Sequence, residues 1–490
     1  MASGFLHGAE VQNVAGASQS ASTIDSSVIG IVGTAPYADP TKWPLNTPVL
    51  VSGSDTALIG ALVANAPANE GDVGTLAPAF SDILDECSPV VVAVRVAAVS
   101  ANGNTVGASY DKATIPNVVG GLAASGSYTG VHCLLAAESV TGKRPRLLCA
   151  PGWTHQTNPN GIVGVAVINA GTGYAPGTYP LTISDDSGKG AAATATIDGS
   201  GAVTRVTITA NGSDYSNPKF TLPAEAGGGT GAAFSPTIAT ATNAVVAELK
   251  GIADTLGAVV YADGPNTNNA DAIAAAAQGG ARVMLIDPWT TKENAAGVET
   301  MFPPSAKFAA RQAYTDATVG FWASVSNKPL NGVTGLGRPI DFVLGSGSCA
   351  ANVLNSSFVT TIVRTPKGYT TWGNRALDGS FLCVTRTVDV INASLMSAVL
   401  QYVDAGVTKN FVTEVVQYVN SYLRTLTAQG AITGGKCWAD TELNTAAAVK
   451  SGQVYFDFDI GPVYPAERLT FRSSINDGYI TTIFSNGTSS

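Results

Sequence analysis

The last forty or so residues, Gly452 to Ser490, leave this chain the least freedom. In GQVYFDFDIGPVYPAERLTFRSSI, Val454, Phe456, Phe458 and Ile460 alternate with Tyr455, Asp457 and Asp459. After a Gly-Pro-Val-Tyr-Pro break, Leu469, Phe471 and Ile475 follow among Arg468, Thr470 and Arg472. Period two marks half-buried strands. Folding the pair back about the loop Gly461 to Ala466 sets Phe456 opposite Phe471, Phe458 opposite Leu469 and Asp459 opposite Arg468. Each such cross-strand pair contributes about 0.2–1 kcal/mol. Asp477-Gly478 is a turn dipeptide. Beyond it Tyr479, Thr481 and Ile483 fall on one face and Ile480, Thr482 and Phe484 on the other, a strand with no polar side. Such a strand at a chain end is suited to completing a sheet in another copy; the alternative is that it folds back on its own hairpin.

Upstream the pattern is α/β. Strands are expected at Val28 to Val32, Val90 to Val96, Arg146 to Ala150, Ala258 to Tyr261 and Arg282 to Ile286. Helices are expected at Asp55 to Asn65, Thr75 to Cys87, Asn117 to Ala124, Thr129 to Ala137, Asn243 to Leu256 and Asn269 to Gln278. That alternation predicts a mostly parallel sheet covered by helices. Between Asn160 and Ala241 it is interrupted by a Gly/Ala/Thr-rich stretch that repeats itself. At a shift of 41 residues, Val165, Val167, Gly171, Tyr174, Tyr179, Leu181, Gly188, Gly190 and Ile197 fall on Val206, Ile208, Gly212, Tyr215, Phe220, Leu222, Gly229, Gly231 and Ile238 without a gap. This is a duplicated β unit.

After Thr371 the order becomes helices first, strands last. Asn392 is a candidate cap for a helix bearing Leu395, Met396, Val399, Leu400 and Val403, ended by Gly406. Asn410 is one for a helix with Val412, Val415, Val419, Leu423 and Leu426, ended by Gly430, and a third helix spans Asn444 to Ser451. The fold class is therefore multidomain α/β plus α+β: a central α/β sheet domain, a C-terminal helix-plus-hairpin domain with extended terminal arms, and an inserted all-β repeat domain. The expected segments are an arm over 1–26, a discontinuous central domain over 27–159 and 242–371, and an insert over 160–241. A C-terminal assembly domain over 372–478 and a terminal arm over 479–490 complete them. Composition alone leaves 1–26, with Val11 and Val14 faintly alternating, as either an extended arm or a disordered tail.

The closing stretch FDIGPVYPAERLTFRS resembles the closing motif of tail sheath proteins from contractile-tailed bacteriophages. FLHGAEV, SSVIGIVGTAP, PLNTPVLVSG, LCAPGWTHQ, DGPNT and TWGNRAL resemble that family in the same order, so the likeness covers most of the chain apart from the insert. It implies a helical homo-oligomer around a tail tube, built on a baseplate, closed by a tail terminator and contracting to drive the tube through the host envelope. It further implies strand exchange between copies through Val11, Val14, Val454, Phe456, Phe458, Ile460, Leu469, Phe471, Ile475, Tyr479, Ile480, Ile483 and Phe484. Contact with the tube would fall on a C-terminal-domain helix, where Lys409 and Arg424 are the available cations; ordinary solvated charges are the alternative for both. The sheath of a phage-derived bacteriocin or secretion system is a near alternative.

Only 12% of residues are charged, against about 25% for an average soluble domain, as expected of a surface covered by other copies or partners; a large interior gives a milder version of the same bias. A net charge of −9 argues against direct nucleic-acid binding. The longest apolar run, Val90 to Val99, is broken by Arg95, so no membrane insertion is expected. The opening MASGFLHGAEV has no signal-peptide pattern, so the chain is expected to be made and kept in a cytoplasm; the resemblance implies that this is the host's, with the product in the virion tail. Six scattered cysteines suggest reduced core thiols rather than a disulfide framework or metal site.

An α/β chain raises the question of catalysis. His7, His132 and His155 lie in no metal or nucleophile motif, and His132 reads as a packed helical residue. Gly430 to Lys436 imitates a phosphate loop, but Cys437 stands where magnesium needs Ser or Thr, and a helix rather than a strand precedes it. Gly345-Ser-Gly347 is a fragment of a dinucleotide fingerprint. Asp457 and Asp459 share a strand face with Arg468 and Arg472 expected alongside, an ion-pair ladder rather than a paired-acid site. No catalytic residue, cofactor or metal is expected. An α/β enzyme of unrecognised site and a surface adhesin are the distant alternatives.

Overall fold

The computed structural model describes residues 22–53, 55–67, 72–99, 114–156, 158–277, 279–293 and 298–480. Its centre is a six-stranded sheet of β1 (Ile29–Thr34), β2 (Pro48–Ser52), β3 (Val90–Val96), β4 (Leu147–Cys149), β5 (Val259–Asp263) and β6 (Val283–Ile286), in the order β6-β5-β4-β1-β3-β2. All pairings are parallel except β2 with β3. Strands such as β1, IGIVGT, are buried along their whole length, as a parallel sheet covered on both faces requires.

Alternate residues of these strands feed two cores. Ile29, Ile31, Cys149 and Tyr261 pack with Trp43, with Phe80 and Ile83 of α1 (Leu76–Glu86), and with Phe308. Val32, Leu148, Val260 and Leu285 pack on the opposite face with Leu134, Trp153, and Leu249 and Ile252 of α2 (Ala244–Leu256). Asn243 caps α2, its Oδ1 accepting from the amides of Val245 and Val246 at 2.9 and 3.1 Å. Gly257, at φ +61°, ends it.

Several helices differ from expectation. Residues 117–124 and 129–137 give a single turn, Ile115–Val119, and a 3-10 helix, Gly130–Ala136, because Gly120 and Gly130, both at positive φ, interrupt them. An unexpected helix, α3 (Ser305–Thr318), lies against α1 and is buried on most sides. Its Lys307 is fully enclosed, with Nζ 3.0 Å from Asp85, 3.3 Å from Asp82 and 2.8 Å from the Asn331 carbonyl.

The repeat stretch leaves the sheet between β4 and α2, and its entering and leaving strands, Asn158–Thr172 and Thr230–Ala241, pair with each other. The two repeats are interlocked. The first repeat's opening strand pairs with the second's closing strand, and its closing strand, Lys189–Ile197, pairs with the second's opening strand, Val203–Ser213. Tyr215 Oη accepts from the Ala191 amide at 2.9 Å, and its counterpart Tyr174 from the Ala232 amide at 3.4 Å. Gly188 and Gly229 are required beneath these rings: a Cβ there would sit 2.1 Å from Tyr215 and 2.4 Å from Tyr174.

Asp185 ties the repeats further, accepting from the amides of Gly188, Ser187, Asn217 and Ser216, which hold its carboxyl far below the ordinary value. The folded value is the depressed one, so its contribution is complete above the unfolded value of 3.8 and is lost as pH falls through the folded value. Hydrogen-exchange protection at residues 185–188 and 214–217 should therefore fall on acidification below that point, and Asp185→Ala should show the reduced protection already at neutral pH.

Candidate assembly surface

The C-terminal core is built on α4 (Leu382–Val399) and α5 (Lys409–Gln429), through Val390, Ile391, Leu395, Val419, Tyr422, Leu423 and Leu426. α4 begins ten residues before Asn392, which lies in mid-helix. It is also long and apolar enough to cross a membrane, but its Arg386 and Thr387 are buried in this core. Thr408, not Asn410, caps α5, with Oγ1 accepting from the Phe411 amide at 3.2 Å. Gly430 ends α5 in the left-handed conformation. The chain then enters β7 (Ile432–Ala439), which takes in most of the phosphate-loop imitation.

β7 pairs antiparallel with β8 (Phe456–Pro462), and this is where the expected hairpin is corrected. Ala439, Cys437 and Gly435 stand opposite Phe456, Phe458 and Ile460; Val454 lies just before the strand. Asn420 of α5 seats β7, its Oδ1 accepting from the Cys437 amide and its Nδ2 donating to the Cys437 carbonyl, at 2.9 and 2.8 Å. Residues 463–475 form no strand; Leu469, Phe471 and Ile475 are 73%, 91% and 96% exposed. The physical reason lies in the connection. Pro462 and Pro465 lack amide donors and hold the backbone before them extended. Glu467 is moreover drawn to Arg375, which donates from Nε and Nη2 to its carboxylate at 2.9 and 2.6 Å. Among the described residues the sheet ends at two strands.

The charge ladder changes accordingly. Asp459 faces Lys436, whose amide donates to its carboxylate at 2.8 Å, and not Arg468. Loss of water contact and then the neighbouring Asp440 raise the Asp457 carboxyl. Arg468 and Arg472 stay exposed on the extended stretch. Tyr479 and Ile480 are exposed too, but in a helical turn closed by the Ile480 amide on the Asp477 carbonyl at 3.0 Å, not in a strand. Val11, Val14, Ile483 and Phe484 lie outside the described residues.

Lys409 and Arg424 are both exposed on α5, within about 60° of each other around its axis at 100° per residue. The tip joining α4 to α5 is apolar: Met396, Leu400 and Val403, part of the apolar set read for this helix from sequence, are 62–70% exposed. The root of the N-terminal segment packs between the two modules. Ile24 touches the C-terminal core, its amide donates to Ser394 Oγ at 3.1 Å, and Ser26 Oγ donates to Asp316 at 2.8 Å. Asp316 is ion-paired with Arg386 of α4, both buried.

The features of catalytic appearance are accounted for structurally. In an open parallel sheet the ligand crevice lies where strand order reverses, here between the carboxyl ends of β1 and β4. Trp153 fills that position, fully buried, with Nε1 3.3 Å from Thr75 Oγ1, which also accepts from the Thr34 amide at 3.0 Å. His132 is half-buried rather than core and pairs with Glu248 at 3.1 Å, and His155 stacks edge-on against Trp289. His7 is outside the described residues, and Gly345 to Gly347 lie in an exposed loop.

Fold and surface together define a structural assembly subunit: a filled α/β body carrying an open two-stranded sheet and an unpaired apolar segment. Residues 378–476 match the family described as phage tail sheath C-terminal domain. The chain is 28% identical to the major tail sheath protein of Serratia phage KSP20, over 99% of this chain and 98% of that one. It is 26% identical to the tail sheath protein of Escherichia phage P2, over 98% of each. The fold is similar to that of the anti-feeding prophage helical sheath in its contracted state, with a TM-score of 0.56, 14% identity and coverage of 96% of this chain and 99% of that one. Its C-terminal residues 378–476 thus carry the phage tail sheath C-terminal domain, and the chain is similar to structural tail sheath proteins along nearly its full length.

Proposed function

We propose that the chain is the repeating subunit of a contractile virion tail sheath that polymerises around a tail tube and shortens to drive it through a host envelope. The observation that carries this reading is the C-terminal segment, which exposes Leu469, Phe471 and Ile475 beside a sheet of two strands. Head-to-tail contacts that do not close on themselves make filaments. A strand supplied to a neighbour ties copies through backbone hydrogen bonds while the bodies rotate. In this reading the segment from Leu469 on and the arm around Val11 and Val14 extend β7–β8 sheets of other copies.

The outer partners follow from the same reading. The tube meets the α4–α5 side, with Lys409 and Arg424 on it; a baseplate seeds the sheath and a terminator closes it. Residues 27–159 and 242–371 form the body, 372–478 the assembly unit, and 160–241 an outward decoration. Contraction is then a difference in interface free energy between two lattices, summed over linked subunits. The likeness to the anti-feeding prophage sheath favours one second reading, a contractile particle without a genome, in which the subunit would do the same work.

Negative-stain microscopy of the purified full chain tests the proposal. Striated hollow tubes are expected; a particle that stays monomeric at every concentration and salt condition would refute it.

A further inference from the structure

Two of the motifs that carry the family likeness, TWGNRAL and GPVYPAERLTF, hold no chemistry that sequence alone explains, yet the structure joins them. Arg375 of the first and Glu467 of the second, 92 residues apart, form a two-pronged ion pair. The guanidinium also lies 4.1 Å from the centre of the Phe381 ring, and donates to the Gly379 carbonyl. Phe381 in turn meets Tyr464 edge-on at 6.1 Å. The turn before α4 thus grips the chain on both sides of Pro465, one residue before the exposed stretch begins.

That grip matters because the stretch has a second place to go. Six residues, Gly461 to Ala466, are enough to turn a hairpin. Closing it would set Leu469 and Phe471 against Phe458 and Phe456 of the same chain, and Arg468 against Asp459. The apolar alternation and charges that suit β8 of another copy suit its own β8 equally. A donor strand that can satisfy its own acceptor is lost to assembly, in proportion to the time it spends closed.

We propose that Arg375, through Glu467, is a positioning residue that holds Arg468 to Ile475 off its own β8 and so reserves the segment for a second copy. The inference rests on the strand-donation reading above. The clamp acts on the direction in which the chain leaves β8, and Arg375 itself need not touch the partner. Arg468 and Arg472 then remain to face Asp457 and Asp459 of the acceptor, giving the exchanged strand its register.

The test uses the full chain with Glu467→Gln, a substitution on an exposed segment outside every core. Trypsin cleavage after Arg468 and Arg472 reports whether the segment is open in the monomer, and light scattering reports tube growth. Cleavage should slow roughly fivefold and growth should slow by a similar factor, as the open fraction falls. Arg375→Glu combined with Glu467→Arg should restore both. Cleavage at the normal rate in Glu467→Gln, whatever happens to growth, overturns the clamp, as does failure of the swapped pair to restore. A chain ending at Glu467 separates the two ideas. If it still builds tubes, strand donation itself is wrong. If it does not, while Glu467→Gln grows and is cleaved normally, only the clamp is.

Discussion

A chain ending at Glu467 stays folded and stops making tubes. The monomer loses little, because Leu469, Phe471 and Ile475 are almost entirely in water and belong to no core cluster. The polymer loses their burial. Each such side chain contributes about 1.5–3 kcal/mol when fully enclosed. Three together give on the order of 5 kcal/mol before the segment's ordering cost is subtracted. If half survives that subtraction, the concentration needed for assembly rises ~100-fold. The thermal midpoint of the truncated monomer should match that of the intact chain to within a few degrees, while sedimentation at concentrations that assemble the intact chain finds no polymer. A truncated chain that pellets as tubes would remove the basis of the functional reading.

The central sheet was the most legible part of the fold because its strands are near-continuous apolar runs separated by helices with one buried stripe. Val90 to Val96 and Thr75 to Cys87 fall within a residue of β3 and α1. The apolar register of the repeats also read directly, whereas their interlocking did not, since self-similarity does not say which copy a strand pairs with. α3 escaped because Lys307, Arg311 and Gln312 occupy its buried face and are satisfied by residues far away in sequence, among them Asp85, Glu86 and Tyr261. α4 was entered ten residues late for a related reason: VTRTVDV alternates like a strand, and only the partner of Arg386 makes that arginine an interior residue. The terminal hairpin was the informative error. Its two halves do match, but the prolines at 462 and 465 and the Arg375–Glu467 pair lead the second half away, and the one paired edge of β8 belongs to β7, with glycines at 434 and 435 and the look of a phosphate loop. The exposure of the tip Met396–Val403 was not legible, because apolar spacing marks a face and not whether the same chain covers it.

Loss of Asp316 should cost the isolated subunit several kcal/mol, on the order expected for breaking a buried ion pair. Its carboxylate accepts from both outer nitrogens of Arg386, from Gln312 Nε2 at 2.8 Å and from Ser26 Oγ, at a site where Arg386 is only 3% exposed. Burial by itself would lower the Arg386 guanidinium, and Asp316 beside it outweighs that and holds it above its ordinary range. Asp316→Ala leaves this charge with the carbonyls of Phe321 and Ser26 at 3.3 and 3.4 Å and no counter-ion. Removing one partner of a buried pair costs about 3–5 kcal/mol, where an exposed pair such as Arg144–Glu138 is worth about 1 kcal/mol or less. The urea midpoint should therefore drop far more for Asp316→Ala than for Glu138→Ala. The double change Asp316→Leu with Arg386→Met should recover much of the loss, because it buries no unpaired charge. The same pair holds the carbonyl and hydroxyl of Ser26, so hydrogen exchange at residues 23–27 and along α4 should quicken together in Asp316→Ala. Quickening of α4 alone would mean that the arm root is held by Ser394 and Tyr422 instead, and that the arm is not coupled to the junction between the body and the C-terminal module.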